Sequence, residues 1–501
     1  MMRYIHSILG LLFCTVLFSQ SAGYFDPTFA VDGKVVRDLY GYTDGINDLE
    51  VLPDGKILTA GFGFDGNLNQ LSFSRYYSNG TLDASYSASG IESLLPSGWD
   101  AVAEDIYLCL DGYILLSGYI SDGASGHTWL VRLNAQGMVD GSFGNNGVVF
   151  LGEPGCTYSQ SRISCLPTGD IIVAATADNG SEQGISLWSL LPDGNSNRLF
   201  GSDGIQSQWI SGNTLSLANI HYVSSNLVLV SGTRQTLNGI SGFVVSYNAN
   251  GNLNTGFGQN GWFTYSGSSN AWFEDSHYQN GTLLIAGSVS TGTNREVLVV
   301  KMDADGQLNP SFGMGGMVSI AAGAGYASAM TLQTAGDGKI LLGGIAFNGL
   351  NNELMVIVLE SDGQVDYSFG NNGLSLISLF NEQHNLRSLI LRPDGRILLG
   401  GNVFNGNNFD MLLLSLMGPS LATGLDAYSM GSGLQMQVLP GMLHLALNAS
   451  GALMLTDVSG RVIFYGNVNA GSLQIQVPST GIYMLEFNNG TTRNSAKIMI
   501  P

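Results

Sequence analysis

One phrase constrains this chain more than any other feature. Val51-Leu-Pro-Asp-Gly-Lys-Ile-Leu-Thr-Ala-Gly61, a turn followed by a short apolar strand, occurs with drift seven times. The copies close on Gly61, Gly118, Ala175, Gly232, Gly287, Gly344 and Gly401, spaced 57, 57, 57, 55, 57 and 57 residues apart. A second marker, Phe29, Tyr86, Phe143, Phe200, Phe257, Phe312 and Phe369, is spaced 57, 57, 57, 57, 55 and 57. Two markers locked to one period mean one supersecondary unit copied seven times. A period of this length belongs to propellers, solenoids or arrays.

Each copy reads as four short strands. In the first, residues 46–52 alternate, Pro53-Asp-Gly55 turns the chain, and residues 56–61 run back; residues 71–77 and 90–95 supply the third and fourth strands. Such a meander cannot bury both faces alone, whereas seven packed around an axis can. The phase of the repeat points to closure. The Asp26-Pro-Thr-Phe29 element that ends each later copy already stands ahead of the first complete one, and the seventh copy stops after residue 416 without it. The expectation is an all-β chain with a seven-bladed β-propeller over residues 24–417. Residues 33–38 are expected to pair with 411–416 as the outer strand of the last blade, closing the ring. A linear solenoid would leave those edges exposed.

The flanks are different. Arg3 followed by an apolar run over 8–18 and small residues around 19–23 reads as a signal peptide, residues 1–22, too short to span a bilayer. Residues 418–433 are a small-residue linker. Residues 434–501 hold seven alternating stretches, read as a small Ig-like β-sandwich. With a net charge of −20 and only 18 Lys and Arg, the chain lacks the clustered cations that nucleic acid or an anionic membrane would need. The mature protein is expected not to span the membrane. Once Cys14 leaves with the leader, Cys109, Cys156 and Cys165 remain. A Cys156–Cys165 disulfide is compatible with export, and three unpaired thiols fit the odd count equally.

A site, if the repeats hold one, is expected on the innermost strands. Seven residues before each turn glycine (Asn226 in the fourth copy) come Asp48, Asp105, Arg162, Asn219, Glu274, Thr331 and Ser388, all polar. Two residues further on are Glu50, Tyr107, Ser164, His221, Ser276, Gln333 and Ile390. Between them lie apolar residues, with Asp275 the exception. This places a polar face on a central channel, either as a solvated pore or as a ligand or cation site at its mouth with Asp48, Asp105 and Glu274 as donors. No catalytic, cofactor-binding or metal-ligating constellation is otherwise visible, and no cofactor is expected. The histidines are scattered, and counting from the local turn sends His221 and His277 to opposite faces. The Asn-Gly-Thr triplets at Asn79, Asn280 and Asn489 fit a glycosylation sequon but read as tight turns.

Two resemblances follow from these residues. Leu308-Asn-Pro-Ser-Phe-Gly with Gly316, then Asp337-Gly-Lys-Ile-Leu-Leu-Gly-Gly344 and Asp362-Gly-Gln-Val-Asp366, resembles the delta-60 repeat family. The resemblance covers residues 24–417 and implies a bacterial β-propeller-like repeat domain with no common activity. The fourth copy departs from the pattern at Ser225-Asn226 and Asn197-Arg198. Leu455-Thr-Asp-Val-Ser-Gly-Arg-Val-Ile463, Thr480-Gly-Ile-Tyr-Met-Leu-Glu486 and Lys497-Ile498 are similar to the type A sorting domain of the type IX secretion system of Bacteroidetes, with Pro440-Gly-Met442 where that family has Pro-Asn-Pro. This second resemblance implies passage through the periplasm and release or attachment at the outer cell surface, with the secretion machinery engaging residues 434–501.

The function expected on these grounds is that of a secreted or cell-surface repeat protein, a binding or structural module rather than an enzyme, with a glycan or another surface protein as partner. The alternative is a propeller lyase or hydrolase with its site at the channel mouth.

Overall fold

Alternating apolar residues punctuated by Asp-Gly turns fold residues 34–417 into seven antiparallel sheets arranged as a β-propeller. The computed structural model describes residues 22–419 apart from 87–90, 92, 110, 225, 268 and 381. In the C-terminal part it describes 434–439, 442–447, 450–457, 461–469, 471–476, 481–488 and 493–500. The leader expected over 1–22 and the linker expected over 418–433 lie, but for residues 22, 418 and 419, outside the described residues. Among the described residues no helix is long and apolar enough to cross a membrane.

The innermost strands of blades 1 to 7 are Asp44–Val51, Asp100–Leu108, Thr157–Cys165, Thr214–Ser224, Ala271–Gln279, Ala327–Thr334 and His384–Leu391. Each packs beside the next, and the seventh packs beside the first, so the ring closes. Blades 2 to 6 are four-stranded meanders. Blade 7 takes its fourth strand from the amino-terminal segment: Lys34–Arg37 pairs antiparallel with Phe409–Met417, Lys34 opposite Leu414 and Arg37 opposite Met411. Blade 1 has three strands among the described residues. The fourth strand expected over 90–95 lies partly outside them. Where it is described, Leu94 donates its N–H to the Ile91 carbonyl at 2.9 Å, a turn that tucks Ile91, Leu94 and Leu95 against the core between blades 1 and 2.

The apolar faces meet between blades. Leu58, Ala60 and Phe73 of blade 1 pack with Ile106, Leu116 and Trp129 of blade 2, all buried. Both repeat markers have a packing cause. In every blade the innermost strand carries a bulge opposite the closing small residue, for example between Ile46 and Asp48 or between Leu386 and Ser388. The carbonyl just ahead of the bulge comes so close that a Cβ on Gly61 would lie 2.0 Å from the Gly45 oxygen, and one on Gly401 2.0 Å from the Asn385 oxygen. In blade 3, which carries Ala175, the bulge is rearranged, and Gln160 takes φ +58. The aromatic marker, buried in six blades and half-buried at Tyr86, sits behind an Asp or Asn that organises its turn. Asp26 accepts the Thr28 N–H at 2.9 Å while its carbonyl accepts the Phe29 N–H at 3.1 Å. The ring then lies under the turn glycine of the following copy, Phe257 under Gly306 and Phe312 under Gly363.

Beyond the propeller, Leu434–Leu439, Met442–Leu447 and Gly471–Gln476 form one antiparallel sheet. Gly451–Asp457, Val462–Val468, Gly481–Asn488 and Arg493–Ile500 form a second.

Candidate functional site

The bulges turn one side chain per blade into the channel: Asp48, Asp105, Arg162, Asn219, Asp275, Thr331 and Ser388. The sequence reading placed Glu274 in this ring, and the register moves the position to Asp275. The cause is a shorter hairpin in blade 5. Gly61 follows Asp48 by 13 residues, but Gly287 follows Asp275 by 12, because the chain reverses through the two-residue turn Asn280-Gly281 with Gln279 opposite Thr282. Glu274 sits in the bulge itself, 3.6 Å from the Arg295 guanidinium. The same slip corrects the histidines. His221 and His277 each stand two residues beyond the ring position, so they occupy one level of the channel with Glu50, Tyr107, Ser164 and Gln333. The drop in period from 57 to 55 between Gly232 and Gly287 was the signal that the count from the turn changes in this copy.

The channel encloses about 390 Å³, and its polar groups are spent on neighbouring blades. Asp48 accepts the Ile106 N–H at 2.9 Å and the Ser388 hydroxyl at 2.8 Å. Asp105 accepts the Ile163 N–H at 2.7 Å, Arg162 Nε donates to the Ala218 carbonyl at 2.9 Å, and Asn219 Nδ2 donates to Asp275 Oδ1 at 2.8 Å. Asp275 Oδ2 in turn accepts the Leu332 N–H at 2.9 Å, and Gln333 accepts the Leu391 N–H. These bonds cross all seven blade junctions. A second tier reinforces three of them: Asn47 Nδ2 donates to the Ala103 carbonyl at 2.9 Å, Glu104 accepts the Gln160 and Ser161 N–H groups at 2.9 and 2.7 Å, and Gln160 accepts the Leu217 N–H at 2.9 Å.

Enclosure by the ring wall raises the carboxyls. Burial, then the neighbouring Asp48, holds Asp105 well above the usual carboxylate range, and burial raises Asp48 despite its hydrogen bonds. Burial pushes Asp275 up to about 6 and Glu50 up to about 7. His221, bonded through Nε2 to the Ser276 hydroxyl at 2.9 Å, is pushed down to about 3 by burial and by His277. The structure thus brings Asp48 and Asp105 side by side, while Glu274 lines the same channel from the bulge, facing Arg295. Asp48 has both oxygens taken, by the Ile106 N–H and the Ser388 hydroxyl, and leaves none open to a cation.

Cys109, Cys156 and Cys165 are unpaired. Cys109 and Cys165 are buried and Cys156 half-buried. The Cys109 thiol is raised by its hydrogen bond with Cys165 and by burial. The Cys156–Cys165 disulfide is not formed.

A family model described as a domain of unknown function (DUF5122) beta-propeller matches residues 52–86 and 279–312. No curated protein matches the chain. Among solved structures, a catalytically inactive virginiamycin B lyase from Staphylococcus aureus is 12% identical, covering 76% of this chain and 98% of its own, with a TM-score of 0.41. The polysaccharide lyase Uly1 is 11% identical over 79% of this chain and 97% of its own, with a TM-score of 0.43. Sqt1 from Chaetomium thermophilum, bound to the N-terminus of the ribosomal protein L10, is 10% identical over 76% and 98%, with a TM-score of 0.40. Likeness at this level is too distant to carry chemistry across.

Proposed function

We propose that this propeller repeat protein is a secreted or cell-surface module that binds or scaffolds rather than catalyses, exported through the type IX route by residues 434–501. The observation behind the scaffold reading is the channel ring, whose donors and acceptors are committed from blade to blade. A side chain that already holds the next blade in place is poorly free to bind substrate or move a proton during a reaction. On this reading residues 33–38 clasp the ring shut, the C-terminal strands form a small sandwich that serves as the sorting domain, and the outer face of the ring meets a glycan or another surface protein. Mass spectrometry of supernatant and cell envelope tests the route. The full-length protein is expected outside the outer membrane with its leader removed, and a version lacking residues 434–501 is expected to stay in the periplasm. Export that is indifferent to that deletion overturns it.

A second reading, a lyase or hydrolase at the channel mouth, draws on Glu50. Its carboxyl, at about 7, titrates where a general acid or base would, and His221 and His277 share its level. Turnover of a polysaccharide or peptide that Glu50→Gln abolishes without unfolding would favour this reading over the first.

A further inference from the structure

Blade 1 carries one buried charge that the repeat does not explain. Asp44 stands four residues ahead of its channel residue, Asp48. The same position holds Ala101, Tyr158, Leu215, Ala271, Ala327 and His384 in the other blades, all buried. His384 has both ring nitrogens bonded, to the Leu379 N–H and the Asn352 carbonyl. Asp44 is 0% exposed. Its Oδ2 accepts the Leu39 N–H at 2.7 Å, whereas its Oδ1 has no hydrogen-bond partner and lies against Gly63. A buried carboxylate oxygen without a partner is costly and calls for one.

Two more carboxylates converge on this place. Asp38 follows the amino-terminal strand Lys34–Arg37, and Asp410 lies in Phe409–Met417 of blade 7. One ligand atom from each of Asp38, Asp44 and Asp410 lies within 4.8 Å of the others. The outer two are also fixed through one oxygen: Asp38 Oδ1 accepts the Gly41 N–H at 2.5 Å, and Asp410 Oδ1 accepts Asn405 Nδ2 at 2.9 Å. None of the ion pairs among the described residues involves any of the three. Burial, then Asp38 and Asp410, pushes the Asp44 carboxyl up to about 6 against the pull of the Leu39 N–H and Arg37, and a cation held among the three carboxylates would relieve that crowding of negative charge.

We propose that Asp38, Asp44 and Asp410 bind one calcium ion at the seam of the ring, tying the amino-terminal segment to blades 1 and 7. The donor set is all hard oxygen, without His or Cys, which selects against zinc and copper. Oxygens about 2.3–2.6 Å from one calcium ion stand at most about 5 Å apart, so the carboxylates reach it with little movement. Magnesium, with bonds of about 2.0–2.1 Å, would draw them closer. Water completes the coordination on the side of Asp38, the exposed member.

Calorimetric titration of the full-length protein with calcium chloride, and with magnesium chloride in parallel, tests this. The expected result is one calcium per chain, with Kd on the order of 10⁻⁴–10⁻³ M. Tm is expected to rise by about 3–5 °C at roughly a hundredfold excess over Kd. Asp44→Asn should abolish both responses while folding at least as well without calcium, since it removes a buried like charge. Asp38→Asn, at the exposed member, should weaken binding about tenfold and serves if the buried variant fails to fold. No heat and no Tm shift at 10 mM calcium (about tenfold above the weakest expected Kd), or a response unchanged in both variants, would overturn the proposal.

Discussion

Asp48 accepts the backbone N–H of Ile106 from the next blade at 2.9 Å, and the same carboxyl accepts the Ser388 hydroxyl from the last. One side chain therefore joins three blades across the point where the ring closes on itself. Asp105 repeats the bond one blade on, to Ile163.

Asp48→Ala strips partners from the Ile106 N–H and the Ser388 hydroxyl at once. A donor left without an acceptor in the channel wall costs about 1–3 kcal/mol, so equilibrium urea unfolding should show a loss of about 2–4 kcal/mol. Asp48→Asn keeps one acceptor oxygen and should lose about 1 kcal/mol. Equal losses in the two variants would mean that charge rather than the bonds is what matters there.

Gly61→Ala should destabilise by more than about 2 kcal/mol, because its Cβ would lie 2.0 Å from the backbone oxygen of Gly45, and backbone cannot step aside as a flexible side chain can. The reverse change at the equivalent place, Ala175→Gly, should stay within about 1 kcal/mol of the parent, since blade 3 has rearranged its bulge around the methyl group. Urea midpoints of the two variants, measured side by side, check the pair.

The repeat made most of this fold legible in the sequence. Seven blades followed from two markers at one period, and the strands of the C-terminal part from alternation and turns. The channel ring was legible where the hairpin kept its length, which is why Asp48 and Asp105 were placed and Asp275 and His277 were missed by one residue each. Counting back from a turn assumes a fixed loop, and Asn280-Gly281 shortens it. Asp44 carried no signal of its own in the sequence. A carboxyl four residues before Asp48 looks like an ordinary strand start until Asp38 and Asp410, far apart in the chain, are seen beside it.

The channel carboxyls and histidines pull the pH dependence of stability in opposite directions. Glu50 and Asp275 have folded-state values raised to about 7 and about 6, so these two groups hold more protons in the folded chain than in the unfolded one between about pH 4 and 7. Their contribution to stability falls as pH rises through that window, whereas that of His221, pushed down to about 3, rises up to about pH 6.5. At the acid end the sign reverses. Asp83, drawn down to about 2 by its bonds to Ser85 and then Arg75, loses its contribution as pH falls from about 4 toward 2. Measured as a difference from the parent, which cancels the histidines, Glu50→Gln should gain in Tm as pH rises from about 4.5 to 7 and keep that gain at pH 8. A Tm difference between the variant and the parent that stays the same from pH 4.5 to 8 would contradict this.

Removing residues 22–38 tests the seam most directly. Lys34–Arg37 covers the edge of Phe409–Met417, with Val36 opposite Leu412, while Gly23, Asp26 and Met417 add backbone bonds to the same edge. Met411 to Leu414 are buried, so deletion bares both a row of unpaired backbone groups and an apolar strand. The deleted chain should lose cooperative unfolding of blade 7 and associate through that edge, seen as a shift to dimer or larger species in light scattering. A synthetic peptide spanning residues 22–38, added in excess, should return it to monomer by restoring the missing strand in trans. A deleted chain that stays monomeric with an unchanged Tm would mean that the ring is held by its innermost bonds alone, through Ser388 and Asp48.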